Sequence, residues 1–237
     1  MGFRIKQKKK IALVFSGGGI KAAAFHIGVC LALKEKGFKF AGGTKEQVRR
    51  SYPDTDPMTI RSYVGSSAGS FVAAILSAGH SLESLVNAFN VGVGQKPHYQ
   101  DFDWDKLRPI TYRDIFSLNS KGLLSSIPSS LLSKTLVRGV LEALIKDRFK
   151  INGFFSTKKM EKYLRDYALS HNQFSQLGVD LFIIGTQLNH TRKVIFGNFP
   201  ENTKNEREHL INYAPISEAV AASTSLPPVF SPYGIKN

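Results

Sequence analysis

The sequence predicts an α/β protein built on a mainly parallel sheet, and three observations lead there. A short apolar run, Ile11 to Phe15, breaks into glycines and resumes as a helical pattern. The same layout recurs from Thr59, where an apolar run meets Gly65-Ser66-Ser67-Ala68-Gly69 and then a second helical stretch. A third apolar run, Asp180 to Gln187, stands between helical stretches at 157–169 and 215–223. Strands that alternate with helices pair in parallel, because each helix carries the chain back across the sheet.

Ile11 to Phe15 has the compact apolar character of a strand buried on both faces. After Gly17-Gly18-Gly19, the residues Ala22, Ala23, Phe25, His26, Val29, Cys30 and Leu33 recur at helical spacing and stop near Lys36-Gly37. Lysines in the last turn and glycine at the stop are helix C-terminal signals. Thr59 to Val64 reads as the second strand and Ser70 to Ala78 as its helix, closed by Gly79.

Residues 91–128 are rich in turn formers and aromatics, and Ser117 to Ser130 has the small-residue composition of a mobile loop able to gate an apolar pocket. From Leu132 to Lys146 the apolar residues fall in one stripe, with Lys134, Arg138, Glu142 and Lys146 opposite, which predicts a helix packed on the domain. Thr157 to Leu169 reads as a helix and Asp180 to Gln187 as a buried strand. Lys193 to Phe196 reads as a short partner strand, and Pro215 to Ser223 as a helix with proline at its start. The expected organisation is a basic tail over residues 1–10 and one α/β domain over 11–237.

With 237 residues, 42% of them hydrophobic, the chain can bury a sizeable core. A single cysteine, Cys30, excludes an internal disulfide framework. The apolar run after MGFRIKQKKK is too short for a signal peptide, and Lys6 stands where a myristoylation signal needs Ser or Thr. The uncharged span from Ser62 to Leu82 is long enough to cross a bilayer, but its repeated Ser and Gly fit a strand, turn and helix better. A cytoplasmic or peripheral membrane location is expected, or export by a leaderless route. The net charge of +14 favours an anionic partner, and an anionic membrane surface is the expected one. No nucleic-acid reading motif accompanies the charge. The six histidines and one cysteine show no ligand spacing, so neither metal nor cofactor is expected.

The chemistry gathers at the two glycine-rich turns. In G-x-S-x-G the small neighbours let a serine stand on a tight strand-to-helix turn with its hydroxyl clear, which makes Ser67 the candidate nucleophile. An acyl transfer also needs donors for the oxyanion. Gly17, Gly18 and Gly19 can offer bare backbone N–H groups at a helix N-terminus, and the amide of Ala68 can add another. A phosphate-binding loop is the rival reading of SGGGIKAAA, but it has neither the Walker A order nor the G-x-G-x-x-G spacing.

At these residues the chain resembles the patatin-like phospholipases. The resemblance covers residues 11–29, residues 60–79 and the late segment AASTSLPPVFSPY, Ala221 to Tyr233. It implies a three-layer α/β/α fold and a Ser-Asp dyad that hydrolyses acyl esters of phospholipids or related lipids, with Ser67 as nucleophile and Gly17 to Gly19 as the oxyanion loop. Lys21 matches the basic residue that follows that loop and could face a lipid phosphate. Two departures stand out. Ala22 replaces a glycine usual in the family, and the chain holds no Asp-Gly pair, the setting of the family's aspartate. The base is therefore expected beyond Asn237; the alternative is a lipid-binding protein without catalysis on the same fold. His26, His80 and Asp180 are weighed as replacements, and each fits a structural role better.

Overall fold

The computed structural model describes residues 10–90, 107–110, 115, 117–118, 153, 155–200, 203, 208–227 and 229–236. Five strands form the central sheet: β1 (Ala12–Phe15), β4 (Ser62–Ser66), β7 (Asp180–Gln187), β8 (Arg192–Phe196) and β9 (His209–Ile211), in the order β1-β4-β7-β8-β9. β1, β4 and β7 run parallel, β8 turns back antiparallel to β7, and β9 lies parallel to β8. The register sets Ser62 beside Asp180 and Ser66 beside Ile184.

Helices flank this mainly parallel sheet in the α/β/α arrangement. α1 (Gly19–Glu35) follows β1 and packs on α3 (Ala68–Ser77), which follows β4 and lies against β1, β4 and β7. α1 ends before Gly37 and α3 before Gly79, both glycines at positive φ, as the sequence signals anticipate. α2 (Lys45–Ser51) and α4 (Leu82–Asn90) complete the first half. The second half contributes α5 (Lys158–Tyr163) and α6 (Ile216–Thr224), the latter against β7. α3 is the most deeply set element, its residues buried from Gly69 to Ser77. Among the described residues no helix is long and apolar enough to cross a membrane.

Several elements differ from the sequence reading. The strand expected over Thr59 to Val64 is two: β3 (Thr59–Ile60) pairs with β2 (Lys39–Phe40) in a small sheet, and β4 pairs with β1. The chain changes partner at Arg61, whose guanidinium reaches back to the Tyr52 and Pro53 carbonyls. The helix of 157–169 gives way to a π turn over Leu164–Ala168, where the Leu169 N–H reaches the Leu164 carbonyl. Pro215 caps α6 from outside its first turn. The loop read from Ser117 opens with a strand, β5 (Ser117–Leu118), antiparallel to β6 (Phe155–Ser156). The rest of that loop and the stripe from Leu132 to Lys146 lie outside the described residues.

Candidate active site

Both glycine-rich turns lie at one end of the sheet, because β1 and β4 are parallel neighbours in register and each is followed at once by its turn. β1 runs into Ser16 and the glycines, β4 into Ser67. A Cβ on Gly17 would lie 3.2 Å from the Ser67 Cβ and 3.8 Å from its Oγ. The first turn therefore passes, at Gly17, beside the hydroxyl delivered by the second. The N-termini of α1 and α3, with their positive dipole ends, start from this same place.

Ser67 is one of two non-glycine residues at positive φ among those described, with φ 51° and ψ −124°. Such a conformation costs about 1–3 kcal/mol and persists only when the surroundings hold it. Close packing and hydrogen bonds hold it here. A Cβ on Gly65 would meet the Ser70 Cα at 2.4 Å, and one on Gly69 would meet the Phe15 carbonyl oxygen at 2.3 Å. The Ser67 carbonyl accepts from the Ser70 hydroxyl at 2.5 Å and from the Ser70 N–H at 2.9 Å. The Ser67 N–H donates to the Ser223 Oγ at 2.8 Å.

A serine before a helix ordinarily turns its oxygen onto the first-turn amides. Ser67 occupies that position for α3 and makes no such bond, so its half-buried hydroxyl stays free of the capping role. The Ala68 N–H belongs to the first turn of α3, where no intrahelical acceptor exists. Gly18, at φ 140°, precedes α1 and carries no side chain to cap it, and Gly19 follows at φ 67°. The starts of two helices thus lie at the same end of the sheet, with Gly17 beside the Ser67 hydroxyl. Lys21 is exposed in the first turn of α1.

The other weighed residues sit elsewhere or do other work. His26 is buried, its Nε2 2.9 Å from the Ser16 carbonyl and its ring edge-on to Phe15. It anchors the approach to the glycine loop from inside α1. His80 Nε2 lies 2.7 Å from the Ala168 carbonyl and ties the end of the α3 unit to the π turn. Asp180 accepts from the Ser62 hydroxyl at 2.8 Å, at the opposite end of β4 from Ser67. Five strand residues span about 16 Å, too far for direct proton transfer.

The described aspartates are all engaged away from Ser67. Asp54 pairs with Arg61, Asp56 with Lys39 and Asp166 with Arg165, while Asp180 holds Ser62. The Lys39 ammonium holds the Asp56 carboxyl below the usual range. Among the described residues no group of three His, Cys, Asp or Glu side chains is placed to hold a metal ion.

Sequence reasoning overlooked Ser223. The late segment carries several hydroxyls in a row, and only the fold reveals which one reaches the elbow.

A comparison with curated proteins found no match. The pattern that describes patatin-like phospholipases, by contrast, matches residues 13–237, a span that takes in both glycine turns, the sheet and α6, and the chain belongs to that family.

Proposed function

We propose that the protein is a serine hydrolase of phospholipid or related acyl esters, in which the Ser67 Oγ attacks the ester carbonyl. The family acts on lipid acyl esters in general; the residue roles and the phospholipase A-type specificity are this proposal. The carrying observation is the closeness of Gly17 to the Ser67 hydroxyl, since nucleophile and oxyanion donors must meet on one carbonyl. In the first half-reaction the serine oxygen bonds to the acyl carbon while its proton passes to a carboxylate base. The amides of Gly17, Gly18, Gly19 and Ala68 stabilise the tetrahedral oxyanion, and its collapse expels the alcohol, which takes back the proton held by the base. Water then attacks the acyl-enzyme and releases the fatty acid. That base is proposed to be the aspartate of a Ser-Asp dyad. Lys21 is proposed to meet the lipid phosphate, and the net charge of +14 to hold the protein on anionic bilayers as a peripheral enzyme.

The test is fluorophosphonate labelling of the full-length protein, with fatty acid release from anionic phospholipid vesicles measured alongside. Labelling and release are expected in wild type, and both are expected to vanish in Ser67→Ala. Salt-sensitive vesicle binding that survives Ser67→Ala, with no fatty acid released by wild type, would instead establish a non-catalytic lipid-binding protein.

A further inference from the structure

We infer that Ser223 is a positioning residue for the nucleophile, its hydroxyl built into the last rung of the β4-β7 ladder to hold the Ser67 amide. The chemical part of this inference rests on the function proposed above; the structural part does not.

The register shows why a hydroxyl is needed there. In a parallel pair the hydrogen bonds are evenly spaced, and each strand residue that donates to one neighbour accepts from the residue two further along. Asp180 donates its N–H to the Arg61 carbonyl at 2.9 Å. Continuing two residues at a time through the pairing of Ser62 with Asp180 and Ser66 with Ile184, the Ile184 carbonyl is the regular acceptor for the Ser67 N–H. At Ser67, however, the chain leaves the strand for φ 51°. The Ser223 Oγ fills the rung instead, accepting from the Ser67 N–H at 2.8 Å and donating to the Ile184 carbonyl at 2.5 Å.

Its neighbours show that this is not the ordinary habit of a helical serine. Hydroxyls inside a helix commonly bond back to the carbonyl four residues earlier. Thr224 does so to Val220 at 2.7 Å, and Ser225 to Ala221 at 2.8 Å. Ser223, between Ala222 and these two, instead donates out of its helix to β7. One consequence is electrostatic. The Ser67 N–H is spent on Ser223, so oxyanion stabilisation falls to the glycine loop and Ala68. A second is geometric, because the bridge fixes where the strained residue, and with it the Oγ, stands.

The experiment compares wild type, Ser223→Ala, Ser223→Thr and Ser67→Ala in two readouts: the rate of fluorophosphonate labelling, and the exchange of the Ser67 amide hydrogen followed by NMR. Ser223→Ala is expected to slow labelling roughly tenfold through misplacement of the nucleophile. The same change is expected to speed Ser67 amide exchange on the order of tenfold by local opening. Ser223→Thr keeps the hydroxyl and is expected to stay within about threefold of wild type in both. If Ser223→Ala does not fold, Ser223→Cys replaces it, with similar volume and only a weak hydrogen-bonding group.

Wild-type labelling rate or unchanged Ser67 exchange in Ser223→Ala overturns the inference. A deficit that Ser223→Thr shares in full also overturns it, since the cause is then packing. If wild type itself fails to label, the proposed hydrolase falls, and the exchange comparison alone decides the bridge.

Discussion

The two glycine turns look alike in sequence and use glycine for opposite reasons. At the elbow, Gly65 and Gly69 are confined: a Cβ on either would strike backbone atoms at 2.4 Å or less. At the first turn, Gly18 and Gly19 are chosen for conformation, with φ values of 140° and 67°, and a Cβ on Gly19 would meet nothing within 4 Å. The elbow is thus a joint packed against backbone between β1, β4 and α3, whereas the first turn is open at Gly19 and close only to side-chain atoms, a Cβ on Gly17 lying 3.2 Å from the Ser67 Cβ and one on Gly18 lying 2.9 Å from the Ala22 Cβ. The comparison teaches that a motif's glycines do not share one tolerance to change, even when they serve the same site.

Substitutions can break this distinction, beginning with the largest effect on stability. Gly69→Ala is expected to cost about 3 kcal/mol or more, because the new Cβ must displace Phe15 and with it β1. Urea unfolding should show this loss; a variant as stable as wild type would mean that the joint is not tight. Gly19→Ala should cost only about 1–2 kcal/mol, the strain of a left-handed alanine, with the fold otherwise kept. Thermal unfolding alongside Gly69→Ala gives the direct contrast.

A smaller effect concerns pH at the packed end of the comparison. Burial pushes the Cys30 thiol in α1 from 9.0 up to about 12 and pushes the Tyr63 phenol in β4 upward as well. Both groups bind their protons more tightly folded than unfolded. The Cys30 contribution is therefore complete below pH 9 and is lost as pH rises toward 12. In Cys30→Ala the thiol part of this dependence is gone, so the stability gap between wild type and variant should narrow across that window. Urea titrations at pH 8 and pH 11 measure it, and a constant gap would show that the thiol ionises as freely in the fold as out of it.

The smallest stability change is expected for Gly17→Ala, below about 1 kcal/mol, since the 3.2 Å contact with the Ser67 Cβ can relax by a few tenths of an ångström. Its effect on labelling should be larger than that of Gly19→Ala, because the added methyl sits beside the Ser67 Oγ. Equal labelling rates in the two variants would show that the loop does not cover the hydroxyl.

Much of this was legible in the sequence, and the limits have physical causes. β7 occupies Asp180–Gln187, the full apolar run as read, because a strand buried between neighbours needs an uninterrupted apolar stretch. The stops of α1 and α3 were announced by Gly37 and Gly79. The helical pattern begins at Ser70, two residues after α3 itself, since small Ala68 and Gly69 carry no helical periodicity of their own. The break at Arg61 escaped notice because periodicity records burial and not which strand supplies the partner. In the site, the pattern around Ser67 was visible locally, whereas Ser223 depends on a register between strands more than a hundred residues apart in sequence. The sequence favours a structural role for His26, and the fold shows its attachment to Ser16.

The bond between Ser67 and Ser223 joins residues 156 positions apart. During synthesis, the helix that follows the elbow can form soon after its residues leave the ribosome, but the amide of Ser67 has no partner until α6 has been made and docked. Contacts of such long sequence separation form late and slowly. A nascent chain carrying the whole G-x-S-x-G pattern therefore still lacks the settled backbone of Ser67, and shortened N-terminal fragments inherit the motif without its posture.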